Sequence, residues 1–522
     1  MILFGFVVTL AGVPLPTFHS DSALYGHIAK NILSSGEWLT LRHETGWMVD
    51  KPPLTIWLIA LSFRLGGATD AALRLWHVLM GLALVVVTYL IARVGAKKEQ
   101  ALLAALILVS TFQVFYLTLA PQQDVPLALF LALAFYAYLN YRRTGRTLAA
   151  ALMGLWVALA VLTKGMLSLA AFTVIVAADM LISSRRSERD GFWRWTQIGI
   201  GAVVCILVAA PWFVVGAIRQ GMPFVDTFFL TGSLGIGRFF TPKQAPIPYW
   251  LALVAYVPML AFWMLPWTGL LPGAISSARQ ALREGDPALR LCALWAGLYF
   301  LALSLSPGDK VYRHLHPVFP PLAALGARAL QARFADRRAL RWAAAITSLV
   351  GLPIIIAGGL FLAGQGPGGS TVYRPIAVPF LIALALALAA FTVAALQGAG
   401  RTAVAVLAAA TLMAYALLEW KIMQNWETIW PWRRVAAEVH RLYRPGDRVI
   451  LVGTVNGEAQ FALYHLELPV IVWSDEAQFV GAWPHGGVFG LLPDASFARL
   501  KDRLNPRILV QMPAGWVLVT NR

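Results

Sequence analysis

Three carboxylates and a set of cations stand where long apolar runs end. Asp21 lies in His19-Ser20-Asp21-Ser22, Asp50 is followed by Lys51-Pro52-Pro53, and Asp124 lies in Gln122-Gln123-Asp124-Val125-Pro126. Lys51, Lys164, Arg238, Lys310 and Arg313 recur in the matching connections, followed by His314 and His316. A carboxylate can receive a proton from a hydroxyl, and fixed positive charge stabilises a departing anion. The plainer reading of Asp21 and Asp124 is helix N-capping, because Asp accepts backbone N–H bonds there. For Lys164 it is snorkelling to an interface, and for the two histidines a structural role rather than ligation or hydrogen bonding to substrate. Several cations converging on a few carboxylates fit an anionic substrate better.

The elements that must position these residues follow from composition. The chain has 522 residues, of which 59% are hydrophobic and only 13% charged, with a mean hydropathy of +0.68. Soluble chains carry roughly 25% charge, so a soluble, disordered or disulfide-rich secreted protein is excluded. That much apolar sequence holds at most roughly fifteen spans of about 20 residues. Cys205 and Cys292 both lie inside apolar runs and offer no disulfide framework. The net charge of +17 then sits in loops, where it reports orientation and contact with anionic lipid rather than nucleic acid. Met1 to Leu15 lacks a basic segment and a small-residue cleavage site. It reads as a first span with a truncated start, not a signal peptide.

The expected fold is an α-helical polytopic membrane protein with about thirteen spans. They are placed near 1–17, 69–92, 100–119, 125–141, 147–163, 166–182, 196–218, 249–273, 289–306, 314–331, 342–362, 375–396 and 402–421. Basic clusters occupy alternate connections: Arg93/Lys97/Lys98, Arg142/Arg143/Arg146, Arg185/Arg186/Arg189/Arg194, Arg279/Arg283/Arg290 and Arg333/Arg337/Arg338/Arg341. Their plain reading is as topology determinants on the cytoplasmic side. The other side receives residues 18–68, the Pro121–Asp124 corner, 219–248, Ser306–Arg313 and the C-terminus. Stretches 22–34 and 53–65 read as helices with mixed faces suited to an interface. In 219–248, Gly221, Gly232, Gly235 and Gly237 break any helix and three prolines stiffen the exit. The site is expected in loops 18–68 and 219–248 of a membrane domain, residues 1–424.

After Trp430-Pro431 the pattern changes. Residues 432–443, 457–466 and 494–504 read as helices; Arg448–Gly453, Pro469–Trp473, Gly487–Leu491, Arg507–Gln511 and Trp516–Thr520 read as strands. Such alternation implies a small extracytoplasmic α/β domain over 425–522. Gly453 and Gly457 do not complete a nucleotide-binding glycine pattern.

Five features in one order resemble the membrane-embedded GT-C glycosyltransferases, and within them the bacterial aminoarabinose transferase and protein O-mannosyltransferase group. They are Asp21-(x3)-Tyr25, Asp50-Lys51-Pro52-Pro53, the Asp124-x-Pro-Leu-Ala-Leu run, Leu162-Thr163-Lys164-Gly165 and Lys310 to Pro317. The resemblance covers roughly residues 10–330 at motif level. It implies transfer of a sugar from a polyprenyl phosphate donor to a lipid A-like glycolipid or a protein. It also implies inverting displacement at the outer face of a bacterial cytoplasmic membrane. It makes Asp21 the main catalytic carboxylate and Asp124 a second acidic position, with Lys51, Lys164 and Lys310 on the donor phosphate and Tyr25 beside them. Arg238, Arg313 and His314 complete the set of donor-phosphate contacts. A divalent metal is the one cofactor left open, with Asp50 as its ligand.

This chain departs from the group in reading Asp21-Ser22 for Asp-Glu, Asp50 for the Glu before Lys-Pro-Pro, and Thr231-Gly232-Ser233-Leu234 where relatives often carry Glu or His. The rival reading is a transporter or flippase of lipid-linked sugars. That class also has many spans and buried ions, but shows inverted repeats and ion sites at the midplane, whereas the ionisable groups here cluster toward one side.

Overall fold

A lipid core offers no water to backbone N–H and C=O groups, so long apolar runs settle as helices that satisfy those groups internally. The computed structural model describes residues 1–43, 46–47, 51–185, 195–230, 248–307, 310–334, 336–365, 370–452 and 457–522. The N-terminal part holds α1 (Ile2–Ala11), α2 (Ser20–Ser35), a short hairpin of β1 (Arg42–His43) and β2 (Gly46–Trp47), and α3 (Leu54–Gly66). The bundle continues with α4 (Asp70–Arg93), α5 (Lys98–Val109), α6 (Phe112–Leu119), α7 (Asp124–Thr144), α8 (Thr147–Lys164), α9 (Met166–Arg185), α10 (Trp195–Gln220) and α11 (Met222–Phe229). Then come α12 (Tyr249–Val254), α13 (Tyr256–Trp263), α14 (Leu271–Glu284), α15 (Pro287–Leu305), a 3-10 turn at Tyr312–Val318, α16 (Phe319–Arg333), α17 (Arg337–Leu362), α18 (Arg374–Leu396) and α19 (Gly400–Ile429).

Among the described residues nine helices are long and apolar enough to cross a membrane, or up to eleven if each bent pair is one span. The expected thirteen runs are more numerous than these long helices. Run 1–17 yields a helix of only 10 residues, about 15 Å long and half the thickness of a hydrocarbon core. Run 314–331 is interrupted by Pro317, so it divides into the 3-10 turn and the short α16. Runs 100–119 and 249–273 are bent, by 58° between α5 and α6 and by 118° after α13. At the first bend the Ser110 and Thr111 hydroxyls bond back to the carbonyls of Leu106 and Ile107 at 2.6 and 2.7 Å, a pattern that bends helices.

Two features tie the bundle together. A Cβ on Gly154 would fall 1.9 Å from the Gly201 carbonyl oxygen, so α8 and α10 meet backbone to backbone, as small residues allow in membranes. At the end opposite Asp124, the fully buried Asp179 accepts from Arg142 at 2.6 Å, Arg290 at 2.7 Å and the Tyr138 hydroxyl at 2.7 Å. The basic clusters are thus more than topology signals, since Arg142 and Arg290 turn inward and clamp α7, α9 and α15. Loop 219–248 also differs from expectation. It begins with α11, entered through Gly221 at φ +68°, and residues 231–247 lie outside the described set.

The C-terminal part follows the expected alternation, with α20 (Trp432–Leu442), β3 (Arg448–Val452), α21 (Glu458–Leu466), β4 (Val470–Trp473), α22 (Glu476–Ala482), β5 (Val488–Pro493), α23 (Asp494–Leu504), β6 (Arg507–Met512) and β7 (Trp516–Thr520). Only α22 was not expected. Strand order is β4-β3-β5-β7-β6, with β3 parallel to both neighbours and β7 antiparallel to both of its own. Alternate residues face opposite sides of a strand. Val449 and Leu451 accordingly pack with α20 and α21, while Ile450 and Val452 pack with α22.

Candidate active site

The site is assembled by helix ends. His19 is the N-cap of α2, its ring accepting from the Asp21 N–H at 3.2 Å. Gln123 precedes Asp124 at the cap position of α7. Neither carboxylate therefore serves as the cap, and both turn to the 3-10 turn Tyr312–Val318. Arg313 Nη1 lies 2.8 Å from Asp21 Oδ2, and its Nε lies 3.9 Å from Asp124 Oδ2. The other Asp124 oxygen takes the ammonium of Lys164, the last residue of α8. Lys164 does not snorkel outward. Its side chain is 17% exposed and that of Asp124 only 3%.

The result is a chain of alternating charge: Asp21, Arg313, Asp124, Lys164. Asp21 and Arg313 keep 23% and 28% of their side-chain surface, so one end of the chain opens while the other is enclosed. Burial alone would lower the Arg313 guanidinium, but Asp21 and then Asp124 outweigh it and hold the group above its ordinary value. Burial lowers His19; Asp21 opposes that and Arg313 adds to it. A neutral His19 ring is what accepting the Asp21 N–H requires. Burial likewise pushes the fully enclosed His316 down to about 4.

Side chains around the charges fix their spacing. The Ser22 hydroxyl donates to the Pro121 carbonyl at 3.0 Å, tying the start of α2 to the corner that launches α7. Gln113 donates to the Tyr312 carbonyl at 2.6 Å, and Trp263 stacks on the Tyr312 ring at 4.4 Å. His19, Ser22 and this aromatic wall escaped the sequence reading. A hydroxyl or an imidazole in such a stretch carries no signal of what lies across the bundle.

The remaining expected residues divide. Tyr25, one turn past Asp21 and 3% exposed, is within electrostatic reach of Arg313. Lys51 is half-buried in the turn entering α3, which packs along α2. His314 follows Arg313 in the 3-10 turn and is half-buried. Lys310 caps the end of α15, donating to the carbonyls of Leu303, Ser304 and Ser306 at 2.8, 2.9 and 2.5 Å. Three acceptors match the three N–H groups of an ammonium. Arg238 and Asp50 lie outside the described residues, and among those described no three His, Cys, Asp or Glu side chains gather as a metal site.

Residues 50–214 match the family model described as dolichyl-phosphate-mannose-protein mannosyltransferase. An undecaprenyl phosphate-alpha-4-amino-4-deoxy-L-arabinose arabinosyl transferase from Sodalis glossinidius is 31% identical over 62% of this chain and 57% of its own length. One from Pseudomonas paraeruginosa is 32% identical over 62% and 57%. The chain thus matches less than two thirds of these relatives. Among solved structures, ArnT from Cupriavidus metallidurans superimposes with a TM-score of 0.78 and 20% identity, covering 100% of this chain and 97% of that one. Its complex with undecaprenyl phosphate gives 0.79 at 19% identity, covering 100% and 98%. The shared fold extends over the whole chain, the C-terminal sheet included.

Proposed function

We propose that this chain, which has the fold of the GT-C membrane glycosyltransferases and resembles their aminoarabinose transferase group, moves a sugar from a polyprenyl phosphate to a lipid A-like glycolipid. The observation that carries the reading is the Asp21–Arg313–Asp124–Lys164 chain, with its carboxylate at the open end and its second cation behind. The acceptor hydroxyl oxygen bonds to the sugar anomeric carbon as the bond from that carbon to the phosphate oxygen breaks. The bonding pair leaves with the lipid phosphate, and the hydroxyl proton passes to Asp21. Attack opposite the leaving group inverts the anomeric centre.

Each residue has a physical task in that step. A carboxylate within reach of the attacking hydroxyl lowers the barrier by removing charge as it forms. The phosphate gains negative charge, which the cations Arg313, Lys164 and Lys51 stabilise from fixed positions. A guanidinium has five N–H donors, so Arg313 can meet an anion while still bonding Asp21. Tyr25 and His314 stand beside that anion. The relatives' names and the undecaprenyl phosphate complex support this choice of donor.

The same reading assigns the site and the C-terminal domain, residues 425–522, to the periplasmic side of a bacterial inner membrane. The helices alternate so that Asp124 and Lys164 share one end while Arg93, Arg142 and Arg185 share the other, and arginine-rich ends favour the cytoplasm. The test is direct. Purified protein is incubated with undecaprenyl phosphate-linked aminopentose and either lipid A or a hydroxyl-bearing peptide, and products are weighed by mass spectrometry. A pentosylated lipid A supports the reading; modification of peptide alone, or of neither, overturns it.

A further inference from the structure

The proposed reaction leaves the C-terminal domain without a task, yet its contacts with the bundle concentrate on one helix. That helix is α2, whose first turn carries Asp21. Tyr464 of α21 is 3% exposed and belongs to the same apolar cluster as Ala23, Leu24, Tyr25 and Ile28 of α2. Its ring sits where α2 has no side chain, since a Cβ on Gly26 would lie 2.6 Å from Tyr464 Cε2. Any other residue at 26 would push that ring away.

Further contacts flank this seat along α2. One turn on, Lys30 donates to the Tyr464 carbonyl at 2.7 Å and to Glu467 at 2.6 Å, its ammonium 4.3 Å from the Tyr464 ring centroid. At the other end, a Cβ on Gly457 would lie 3.8 Å from the Ser20 Cβ, so the start of α21 reaches the residue beside Asp21. The segment leading into α2 is held to the same joint. Thr17 donates to Asp70 at 2.5 Å, Arg433 of α20 to the other Asp70 oxygen at 3.0 Å, and the Tyr464 hydroxyl approaches Asp70 at 3.5 Å. Arg74 holds the carbonyls of Val13, Leu15 and Pro16 just before it.

We infer that the C-terminal domain sets the position of Asp21, with Tyr464, seated on Gly26, acting through α2 as the positioning residue. This rests on the proposed role of Asp21 in sugar transfer. Asp21 is partly exposed and anchored on the bundle side by Arg313 and Ser22, and α2 is pressed from behind by α21. A catalytic group displaced by about 1 Å can lose about a hundredfold in rate. A loosened α2 therefore reads as lost turnover, with donor binding by the cations of other elements retained.

Four variants of the full-length protein test this. Tyr464→Ala should lower kcat about ten- to a hundredfold with the donor KM within about twofold, and Tyr464→Phe, which keeps the ring, should stay near wild type. Gly26→Ala, which keeps Tyr464 but displaces it, should fall like Tyr464→Ala. In an Asp21→Asn background, Tyr464→Ala should cost little more, because residues acting as a unit are not additive. Hydrogen–deuterium exchange across 20–35 should be about tenfold or more faster in Tyr464→Ala than in wild type. That arm needs no substrate, so it decides the clamp even if wild type transfers no sugar and the functional reading itself fails. Unchanged protection of α2, wild-type kcat in both folded Tyr464→Ala and Gly26→Ala, or a full loss in the Asp21→Asn background would each overturn the inference.

Discussion

Arg313 meets Asp21 at 2.8 Å, although the two lie in opposite halves of the chain, and the same guanidinium reaches toward Asp124 at 3.9 Å. One residue thus sets the separation of the two carboxylates on which the account depends. It does so from a 3-10 turn, where a helix would have carried it elsewhere.

Arg313→Lys should therefore be far from conservative. A lysine offers a point charge on a flexible stem and cannot span two carboxylates with a planar fork. The expected outcome is a folded protein whose transfer rate falls about tenfold or more, since a hydrogen bond to a charged group contributes about 1.5–3 kcal/mol. Turnover of the purified variant beside its thermal unfolding checks this; wild-type turnover would remove Arg313 from the site.

Lys164 and Asp124 form a pair that neither partner can leave without cost. Lys164→Met takes the near cation from a carboxylate that is 3% exposed and leaves it Arg313 at 3.9 Å, and breaking a buried pair destabilises by about 3–5 kcal/mol. The double variant Lys164→Met/Asp124→Leu should regain much of that stability while remaining inactive. Unfolding in detergent separates the two effects. Recovery of turnover along with stability would make the pair a brace and nothing more.

At the far end, Asp179→Asn leaves Arg142 and Arg290 buried around a neutral group. We expect a marked loss of thermal stability, again of order 3–5 kcal/mol, with turnover per folded molecule unchanged. A comparable loss of turnover in the surviving folded fraction would show that this clamp reaches the site.

How much of this was legible beforehand depended on whether a signal was local. The strands and helices after Trp430 announced themselves by alternation, and α2 and α3 by their polar flanks, because each pattern lies within a dozen residues. Apolar run lengths outnumber the long unbroken helices among the described residues, since hydropathy does not register the bend at Ser110–Thr111 or the break at Pro317. Asp21, Asp124 and Lys164 stood out as charges at the ends of apolar runs. What they bond to did not, because Arg313, Ser22–Pro121 and the His19 cap depend on how α2, α7, α8 and the 3-10 turn converge. The same holds for Arg142 and Arg290, which share a cluster pattern with arginines that face solvent.

Acid should loosen the C-terminal joint. Burial pushes His465 of α21 down to about 4, against the pull of Asp70, while the unfolded group titrates near 6.5. A lowered folded value means the unfolded chain binds the extra proton first. Stability from this group is thus full above about 6.5 and falls as pH drops from there toward about 4. His465→Gln should flatten the melting temperature across that interval. A slope identical to wild type would place the acid sensitivity elsewhere.

The central claim is that Asp21 receives the proton of the acceptor hydroxyl, and Asp21→Asn tests it most directly. His19 already caps α2 through the Asp21 backbone N–H, so the helix start survives the change, and an amide still offers an oxygen to Arg313. Undecaprenyl phosphate binding and single-turnover transfer are to be measured on the same purified sample. The account predicts donor affinity within a few-fold of wild type and a transfer rate lower by about 10²–10⁴-fold, the loss typical of removing a general base. Transfer at the wild-type rate with donor bound would contradict it and leave Asp21 as a partner of Arg313 alone.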